Sequence, residues 1–327
     1  MTPRPRLPIT RTHRAGGFVY RDGRKTISAK RELARIEKLA IPPAWTDVKI
    51  SRSSTSKVLA RGIDAAGRTQ TLYGPAFRRK QEREKFARIL RFAQRLPRLR
   101  KQVEKDLRRR HLGEDKVVAC VVKLIDQEFF RVGNPEYARK NGHYGVTTLR
   151  RKHTDVTSRR VTFDYVGKSG KRQVKTVRDP QLVRLLAQLE RMQGHEIFRF
   201  FDEDGIIHDV DSKRVNAYVK RHMGEEFSAK DFRTWGGTLL ATSALLAVES
   251  DDETAEATII RNVVADVADR LGNTPAVTKD AYIDPRLFGA FEDGVTIPEV
   301  RAAMSRMRPR KHLTVEEQCV LQVLRKR

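Results

Sequence analysis

The sequence predicts an α+β protein in which a small β-rich N-terminal domain precedes a mostly α-helical domain with one small β-sheet. Within residues 18–73, short strand-like segments are separated by Gly and Pro, a pattern typical of strands joined by turns. From about residue 77 onward, apolar residues recur at helical spacing. A chain of 327 residues is long enough for two domains, and we place them at residues 1–88 and 89–327.

The N-terminal region is predicted to contain little helix. Residues 1–16 are rich in Pro and Arg and are expected to form a flexible basic arm. One helix is expected near residues 28–39, where apolar side chains recur at helical spacing and Ser28 is a suitable N-cap. The other segments, which Gly and Pro bound, are expected to be strands.

The second domain is predicted to be built from helices around an apolar segment at residues 117–130. Pro97 is expected to separate two basic helices, because proline removes a helical hydrogen bond and clashes with the preceding turn. Residues 160–166 and 172–177 flank a Gly-containing turn at residues 167–170, which indicates a β-hairpin. The predicted helices span residues 78–96, 98–112, 117–130, 181–191, 212–222, 231–248 and 252–271.

Three signals mark the ends of these helices. Ser228 with Asp231, and Ser250 with Glu253, form capping-box patterns at two helix starts. Gly272 suits the left-handed residue that follows a helix. These signals mark the starts of the two helices predicted at residues 231–248 and 252–271 and predict that the second of them ends at residue 271.

The chain is strongly basic. It contains 67 Lys and Arg against 41 Asp and Glu, a formal net charge of +26. A charge of this size indicates a polyanionic partner. Positive charge spread over so many side chains fits duplex nucleic acid better than a membrane surface or an acidic protein.

The cysteines and the apolar runs limit the cellular setting. Cys120 and Cys319 lie far apart in the sequence and are interpreted as buried free thiols, which favours a reducing compartment. No Cys and His cluster has zinc-ligand spacing. The longest apolar run, residues 239–248, is shorter than the roughly 20 residues that a membrane-spanning helix needs. The N-terminus has no apolar segment typical of a secretory signal, so a soluble intracellular protein is expected.

Five side chains form a candidate catalytic set: Arg131, Lys168, Arg233, Asn273 and Tyr282. Guanidinium groups stay charged and match a phosphate with a planar fork of donors. A lysine can protonate a leaving oxygen, an amide can donate a hydrogen bond, and a phenol near cations can act as a nucleophile. The set suits metal-free attack on a phosphodiester, and the basic chain indicates that this phosphodiester lies in DNA. Each residue alone is better explained by solvation, capping or packing, so the hypothesis depends on the combination.

The residues around Lys168 also match part of a phosphate-binding P-loop. That motif needs four residues between its first glycine and its Gly-Lys pair. With Gly167 and Lys168 as the Gly-Lys pair, the first glycine would have to occupy position 162, which is a threonine. We therefore expect no nucleotide-binding site.

The strings around the five residues resemble the type IB DNA topoisomerases, in particular the compact group found in poxviruses and bacteria. The resemblance extends over nearly the whole chain and includes residues 41–45 (IPPAW), 67–73 (GRTQTLY) and 141–149 (NGHYGVTTL). The chain order Arg, Lys, Arg, Asn, Tyr matches the order of the family's catalytic residues. Asn273 departs from the histidine of the viral members, and Ser169 departs from the aspartate that often follows the lysine.

The resemblance implies that Tyr282 attacks one DNA strand and becomes joined to its 3′ phosphate. Lys168 would protonate the leaving 5′ oxygen, and the two arginines with Asn273 would stabilise the phosphate. Swivelling of the free strand would relax supercoils of either sign, and religation would need neither ATP nor a metal. The implied DNA-contacting residues are Gln70, Tyr73, Arg78, Arg79, Asn134, Tyr137 and Lys230.

The resemblance also implies the setting of the reaction. A monomer is expected, with its two domains forming a C-shaped clamp on duplex DNA, and with no cofactor, nucleotide or membrane as partner. It is expected in the cytoplasm, associated with the nucleoid if the source is bacterial. Lys230 has two possible roles, relaying a proton or contacting the DNA backbone.

Two other functions remain open at this point. A tyrosine recombinase uses a related Arg-Lys-Arg-Tyr site, but its second arginine usually lies in a His-x-x-Arg string, whereas this chain has Lys230 three residues before Arg233. A noncatalytic basic DNA-binding protein with a decayed site is the other alternative, although all five positions are retained. Relaxation of a plasmid by a monomer would distinguish a topoisomerase from a recombinase. A covalent protein–DNA adduct would rule out a noncatalytic DNA-binding protein.

Overall fold

The computed structural model describes residues 6–248 and 255–326. The chain forms two compact units that divide between Ala87 and Arg88. The first unit is rich in strands and the second is mainly helical, so the predicted α+β fold class is confirmed. Among the described residues, no helix combines the length and the apolar character needed to cross a membrane.

The first unit contains an antiparallel sheet, helix α1 (Lys30–Glu37) and the first part of helix α2 (Pro75–Leu107). Within the described residues the strand order is β3-β2-β1-β4-β5-β6. The strands are β1 (Ile9–Arg14), β2 (Gly17–Asp22), β3 (Lys25–Thr26), β4 (Thr46–Ile50), β5 (Val58–Ile63) and β6 (Thr69–Tyr73). Ile36 of the helix packs on Ile9, Val48 and Ile50 of the sheet to form a small core.

The predicted flexible arm at residues 1–16 is wrong for Ile9–Arg14, which forms β1 and pairs with both β2 and β4. Residues 1–5 lie outside the described residues. Arg11 explains why a basic segment can form an internal strand, because its guanidinium is buried and donates to the backbone carbonyls of Pro42 (2.9 Å) and Trp45 (2.7 Å). The N-cap prediction is also wrong, since α1 follows Ala29 and has no side-chain cap.

The second unit is built mainly from helices. The long helix α2 continues unbroken from the first unit into the second, whose helices, α2 included, enclose two apolar clusters. The helices are α2 (Pro75–Leu107), α3 (Glu114–Glu128), α4 (Pro135–Asn141), α5 (Pro180–Glu190), α6 (Ser212–Met223), α7 (Ala229–Ala247), α8 (Glu256–Leu271), α9 (Pro275–Tyr282), α10 (Arg286–Glu292), α11 (Thr296–Met304) and α12 (Val315–Arg325). The strands are β7 (Thr154–Val156), β8 (Val161–Val166), β9 (Arg172–Val177), β10 (Arg199–Phe201) and β11 (Ile207–Asp209).

The predicted break at Pro97 is wrong, because α2 continues through it. A proline inside a helix costs about 3 kcal/mol relative to alanine. Phe92, Leu96 and Leu99 on the same helix are almost fully buried in the core. Burying each of these side chains contributes roughly 1.5–3 kcal/mol, so core packing outweighs the local cost of the proline.

The hairpin and several helix ends confirm the sequence-based predictions. Strands β8 and β9 pair antiparallel in register from Val161 opposite Val177 to Val166 opposite Arg172. The capping box of α7 forms, with the Ser228 amide donating to the Asp231 carboxylate at 2.8 Å. The other predicted capping box, at residues 250 and 253, lies outside the described residues.

Helix α7 links the two apolar clusters of the second unit. Phe232 and Trp235 in its first turns belong to one cluster, and Ala241 and Leu245 further along belong to the other. Arg233 lies between these buried positions and is itself 4% exposed. The packing of α7 therefore fixes the direction of a charged side chain inside the unit.

Candidate active site

The candidate site is assembled at the C-terminal end of α8. The helix ends at Leu271, and Gly272 follows in the left-handed conformation with φ of 63°, as predicted. The last carbonyls of a helix have no partner within the helix and carry its negative dipole end, so they attract cations. Nη2 of Arg233 donates to the Leu271 carbonyl at 2.7 Å, and Nη2 of Arg131 donates to the Gly272 carbonyl at 3.2 Å.

Lys171, directly before β9, and Lys175 within it extend the same row of carbonyls. Nζ of Lys175 lies 3.5 Å from the Arg270 carbonyl oxygen, and Nζ of Lys171 donates to the Asn273 carbonyl at 2.6 Å. Together with the two arginines, they give each of the four consecutive carbonyls from residue 270 to residue 273 a cationic donor. This end of α8 therefore fixes two arginines and one strand of the hairpin relative to each other.

Each arginine has a second anchor. Nη1 of Arg233 donates to the carbonyl of Phe129 at 2.5 Å; Phe129 is the left-handed residue that ends α3. Nη2 of Arg131, two residues further on, donates to Oδ1 of Asn273 at 2.5 Å. The end of α3 and the end of α8 thus hold the Arg233 guanidinium from two sides, whereas both partners of the Arg131 guanidinium directly follow α8.

Two donors in this cluster remain unpaired among the described residues. Nδ2 of Asn273 and Nε of Arg233 are buried and have no hydrogen-bond partner. A buried donor without an acceptor costs roughly 1–3 kcal/mol, and buried polar groups are almost always paired. An anion bound here would supply the missing acceptors, which is what a phosphate-binding site requires.

Tyr282 ends α9, beside the arginines. Cζ of Arg233 lies 5.1 Å from the centroid of the Tyr282 ring. Burial raises the pKa of Tyr282, but the positive charges of Arg233 and Arg131 outweigh it, and the pKa falls below its ordinary value of 10. The pKa of Arg233 is itself lowered to about 10, first by burial and then by the charge of Arg131. The cluster therefore favours the phenolate, which is the nucleophilic form of tyrosine.

Gly237 of α7 permits this placement of Tyr282. A Cβ atom at Gly237 would lie 2.5 Å from the Tyr282 carbonyl oxygen and 3.0 Å from its Cβ. Only glycine allows the two backbones to approach so closely. At the other end of α9, Pro275 occupies the first turn and Thr274 caps the helix, a place where the fixed φ of proline suits a helix start.

Comparison with known proteins identifies the family. The family model described as the catalytic core of eukaryotic DNA topoisomerase I matches residues 74–292, and that described as the N-terminal domain of bacterial DNA topoisomerase IB matches residues 17–64. The chain belongs to the type IB DNA topoisomerases. The enzyme is therefore an isomerase of the DNA topoisomerase class, and this membership favours it over the recombinase alternative.

Several viral relatives resemble the enzyme over most of its length. DNA topoisomerase 1B of Acanthamoeba polyphaga mimivirus is 34% identical over 275 residues, which cover 81% of either chain. DNA topoisomerase 1B of vaccinia virus (strain Copenhagen) is 21% identical over 265 residues, covering 79% of this chain and 81% of the viral one. DNA topoisomerase 1 of rabbit fibroma virus is 24% identical over 255 residues, covering 76% and 78%.

Lys168 is the candidate catalytic residue that the structure of the enzyme does not bring into the cluster. It lies in the single turn Lys168–Gly170 at the exposed tip of the hairpin. Within the described residues it makes no hydrogen bond or ion pair. The structure thus groups Arg131, Arg233, Asn273 and Tyr282 and leaves the lysine at the tip.

The candidate DNA-contacting residues of the second unit differ in exposure and in hydrogen bonding. Asn134 has a structural role, since its Oδ1 caps α4 by accepting from the amide nitrogens of Glu136 (2.8 Å) and Tyr137 (3.3 Å). The side chain of Tyr137 is exposed. Lys230 is exposed in the first turn of α7.

The candidates nearer the N-terminus are mostly exposed. Nε2 of Gln70 on β6 donates to Asp64 at 2.9 Å, which orients its amide. Tyr73 is 41% exposed at the end of β6, and its ring centroid lies 5.2 Å from that of Phe77. Arg78 and Arg79 are exposed in the first turns of α2. Because most of these side chains are exposed, a large ligand such as duplex DNA can reach them.

Lys171 and Lys175 were not predicted as site residues. Their signal in the sequence is weak, since Lys171, Gln173 and Lys175 are merely alternate residues at the start of β9 and just before it, in a chain with many lysines. Their importance depends on α8, which is distant in sequence. The described residues contain no group of three or more His, Cys, Asp or Glu side chains arranged to hold a metal ion.

Proposed function

We propose that the enzyme relaxes supercoiled duplex DNA of either sign through a transient 3′-phosphotyrosyl link at Tyr282. The observation that carries the proposal is the convergence of Arg131, Arg233 and Asn273 beside Tyr282, with buried donors that lack an acceptor. Such a cluster can hold the non-bridging oxygens of a phosphodiester while a nearby phenol attacks its phosphorus. The formal charge of +26 supports a polyanionic duplex as the substrate.

In the cleavage step, Tyr282 gives its phenolic proton to water, and its Oη forms a bond to the scissile phosphorus. The bond between phosphorus and the 5′ oxygen breaks, and that oxygen takes a proton from the Lys168 ammonium. Religation reverses both bond changes. Because the tyrosyl ester keeps the energy of the broken linkage, no ATP is needed, and swivelling of the 5′ strand between the two steps relaxes the supercoil.

The two arginines stabilise the charge that develops on the phosphate. Preorganised donors of this kind each contribute about 10²–10³ in rate, and the row of carbonyls at the end of α8 holds both guanidinium groups before DNA binds. The energetic cost of arranging them is therefore met during folding. The same arginines also lower the pKa of Tyr282, which favours the nucleophilic phenolate.

Asn273 donates a hydrogen bond to the phosphate and moves no proton, since an amide does not titrate near neutral pH. Its Oδ1 accepts from Arg131, which leaves Nδ2 as the free donor. The arginine thus orients the amide as well as binding phosphate. Asn273→Asp would place an acceptor where a donor is needed and should slow cleavage more than Asn273→Ala.

Contacts outside the cluster position the duplex. We propose the exposed Tyr73, Arg78, Arg79, Tyr137 and Lys230 as contacts to the duplex, with Gln70 and Asn134 beside them. Contacts to phosphates fix the position of DNA without reading its sequence. The enzyme is proposed to act as a monomer in the cytoplasm, without nucleotide, metal or other cofactor.

Plasmid relaxation tests the proposal. Purified enzyme should relax positively and negatively supercoiled plasmid in the presence of a chelator and without ATP. Tyr282→Phe should lose relaxation but keep its affinity for duplex DNA, because only the nucleophilic oxygen is removed. Relaxation by Tyr282→Phe, or a strict need for a metal or nucleotide, would contradict the proposal.

The role of Lys168 has its own test. In a substrate whose leaving 5′ oxygen is replaced by sulfur, the leaving group is a thiolate that needs no proton. Lys168→Ala should cleave the oxygen substrate slowly, by a factor in the range of about 10²–10⁴ expected for a lost general acid, and should cleave the sulfur substrate at nearly the wild-type rate. A variant that stays slow on both substrates removes Lys168 from the role of acid.

A further inference from the structure

Lys171 joins the hairpin to the phosphate-binding cluster. Its Nζ donates to the Asn273 carbonyl at 2.6 Å, a charge-assisted hydrogen bond of the stronger kind. Asn273 is the same residue whose side chain accepts from Arg131 at 2.5 Å. One end of this contact is therefore inside the cluster, and the other lies three residues after Lys168.

The contact lies at the base of the tip that carries Lys168. The backbone closes the tip below the turn, where the Gly167 amide donates to the Lys171 carbonyl at 2.8 Å. Beyond that bond the turn is exposed, and Ser169 and Gly170 both adopt positive φ. The position of Lys168 thus depends on where Lys171 is held.

The remaining contacts along β9 support the same docking. Gln173, the next residue on this face, lies so close to Gly272 that a Cβ there would be 2.3 Å from its amide group. Lys175 follows at 3.5 Å from the Arg270 carbonyl. Gln173 and Lys175 of β9, with Lys171 directly before the strand, therefore run along the end of α8, and Lys171 makes the contact nearest to the tip.

We propose that Lys171 is a positioning residue that aligns the general acid Lys168 with the phosphate-binding cluster by anchoring the hairpin to the Asn273 carbonyl. The inference rests on the proposed role of Lys168. Lys171 itself is engaged with the backbone and does not contact the leaving oxygen. Loss of the anchor should leave the nucleophile and the arginines in place while the acid becomes poorly aligned.

Single-turnover cleavage of two substrates tests this. Both are duplexes built around a cleavage site mapped on plasmid DNA, one with the ordinary 5′ oxygen and one with sulfur at that position. Lys171→Ala should cleave the oxygen substrate about 10- to 100-fold more slowly, the range expected when a reacting group is displaced by about 1 Å. It should cleave the sulfur substrate close to the wild-type rate, because that reaction needs no acid.

Arg172→Ala is the matched control. Arg172 is the next residue and is also exposed and cationic, but its guanidinium pairs with Asp164 inside the hairpin at 2.5 Å. Its removal takes the same charge from the same strand without touching α8, so both substrates should be cleaved at the wild-type rate. Lys171→Arg, which keeps a donor for the carbonyl, should recover most of the oxygen rate.

The double variant gives an independent readout. If Lys171 acts through Lys168, Lys168→Ala with Lys171→Ala should be no slower on oxygen than Lys168→Ala alone, because residues that act as one unit are not additive. The inference would be overturned if the losses in the double variant were additive, or if Lys171→Ala slowed both substrates equally or left the oxygen rate unchanged. It would also be overturned if Arg172→Ala showed the same oxygen-specific loss. Failure of sulfur to rescue Lys168→Ala itself would instead overturn the acid role on which the inference rests.

Discussion

Gly237→Ala should slow DNA cleavage although residue 237 contacts no substrate atom in the proposed mechanism. The added Cβ would lie 2.5 Å from the Tyr282 carbonyl oxygen, whereas ordinary contacts at such an atom begin near 3.4 Å. The Tyr282 backbone must therefore retreat by roughly 0.9 Å, or α7 must yield by the same amount. Because α7 is buried along this stretch, most of the movement should fall on Tyr282.

The magnitude follows from that displacement. Misplacing a reacting group by about 1 Å can cost a factor of about 10² in rate, so we expect cleavage to fall about 10- to 100-fold. Overpacking a core costs about 1–3 kcal/mol, and alanine in place of glycine within a helix returns up to about 1 kcal/mol. The net loss of stability should stay near 2 kcal/mol or below, which keeps the variant folded.

Single-turnover cleavage and thermal unfolding, measured on the same preparations, separate the two effects. Gly289→Ala is the control, since a Cβ at this glycine of α10 would meet no atom within 4 Å. It should keep the wild-type cleavage rate and be at least as stable as the wild type. A folded Gly237→Ala that cleaves DNA at the wild-type rate would refute the argument that this close approach fixes the nucleophile.

Two further predictions concern stability. Burial lowers the pKa of Lys175 from 10.5 to about 8, although the charge of Glu128 opposes the shift. Between these two pH values, the Lys175 side chain is protonated in the unfolded chain but not in the folded chain. The free energy of unfolding should therefore rise with pH over this range. From pH 8 to pH 10, the free energy of unfolding of the wild type should rise by about 2 kcal/mol relative to that of Lys175→Met. Denaturant unfolding measures both pH profiles, and parallel profiles would contradict this prediction. Arg100 binds Asp126 at 2.7 Å and the almost fully buried Glu317 at 2.7 Å, so Arg100→Met should destabilise the protein by about 3–5 kcal/mol, the cost of removing one partner from a buried ion pair. A loss below about 1 kcal/mol, typical of surface pairs, would show that solvent screens the network.

Local signals in the sequence predicted the elements that carry the site. Alternation and a Gly-containing turn predicted the hairpin, and Ser228 with Asp231 predicted the start of α7. Gly272 predicted the end of α8. In each case the information lies within a few residues of the feature, so the sequence alone was sufficient.

The failures share a different cause. Pro97 was expected to end a helix, but buried apolar neighbours hold α2 together through it. Arg11 was assigned to a flexible arm, but backbone carbonyls from a distant segment satisfy its guanidinium. The anchoring of Lys171 at the end of α8 was missed for the same reason. These features depend on tertiary contacts with core side chains or backbone carbonyls that are remote in sequence, which no local pattern predicts.

The most direct measurement is identification of the residue that becomes covalently joined to DNA. The enzyme is incubated with supercoiled plasmid, trapped with denaturant, digested with nuclease and protease, and analysed by mass spectrometry for peptides that retain a nucleotide. We expect a 3′-phosphotyrosyl ester on Tyr282, absent from Tyr282→Phe. Relaxation of the plasmid with no such ester, or with the nucleotide on another side chain, would show that Tyr282 is not the nucleophile.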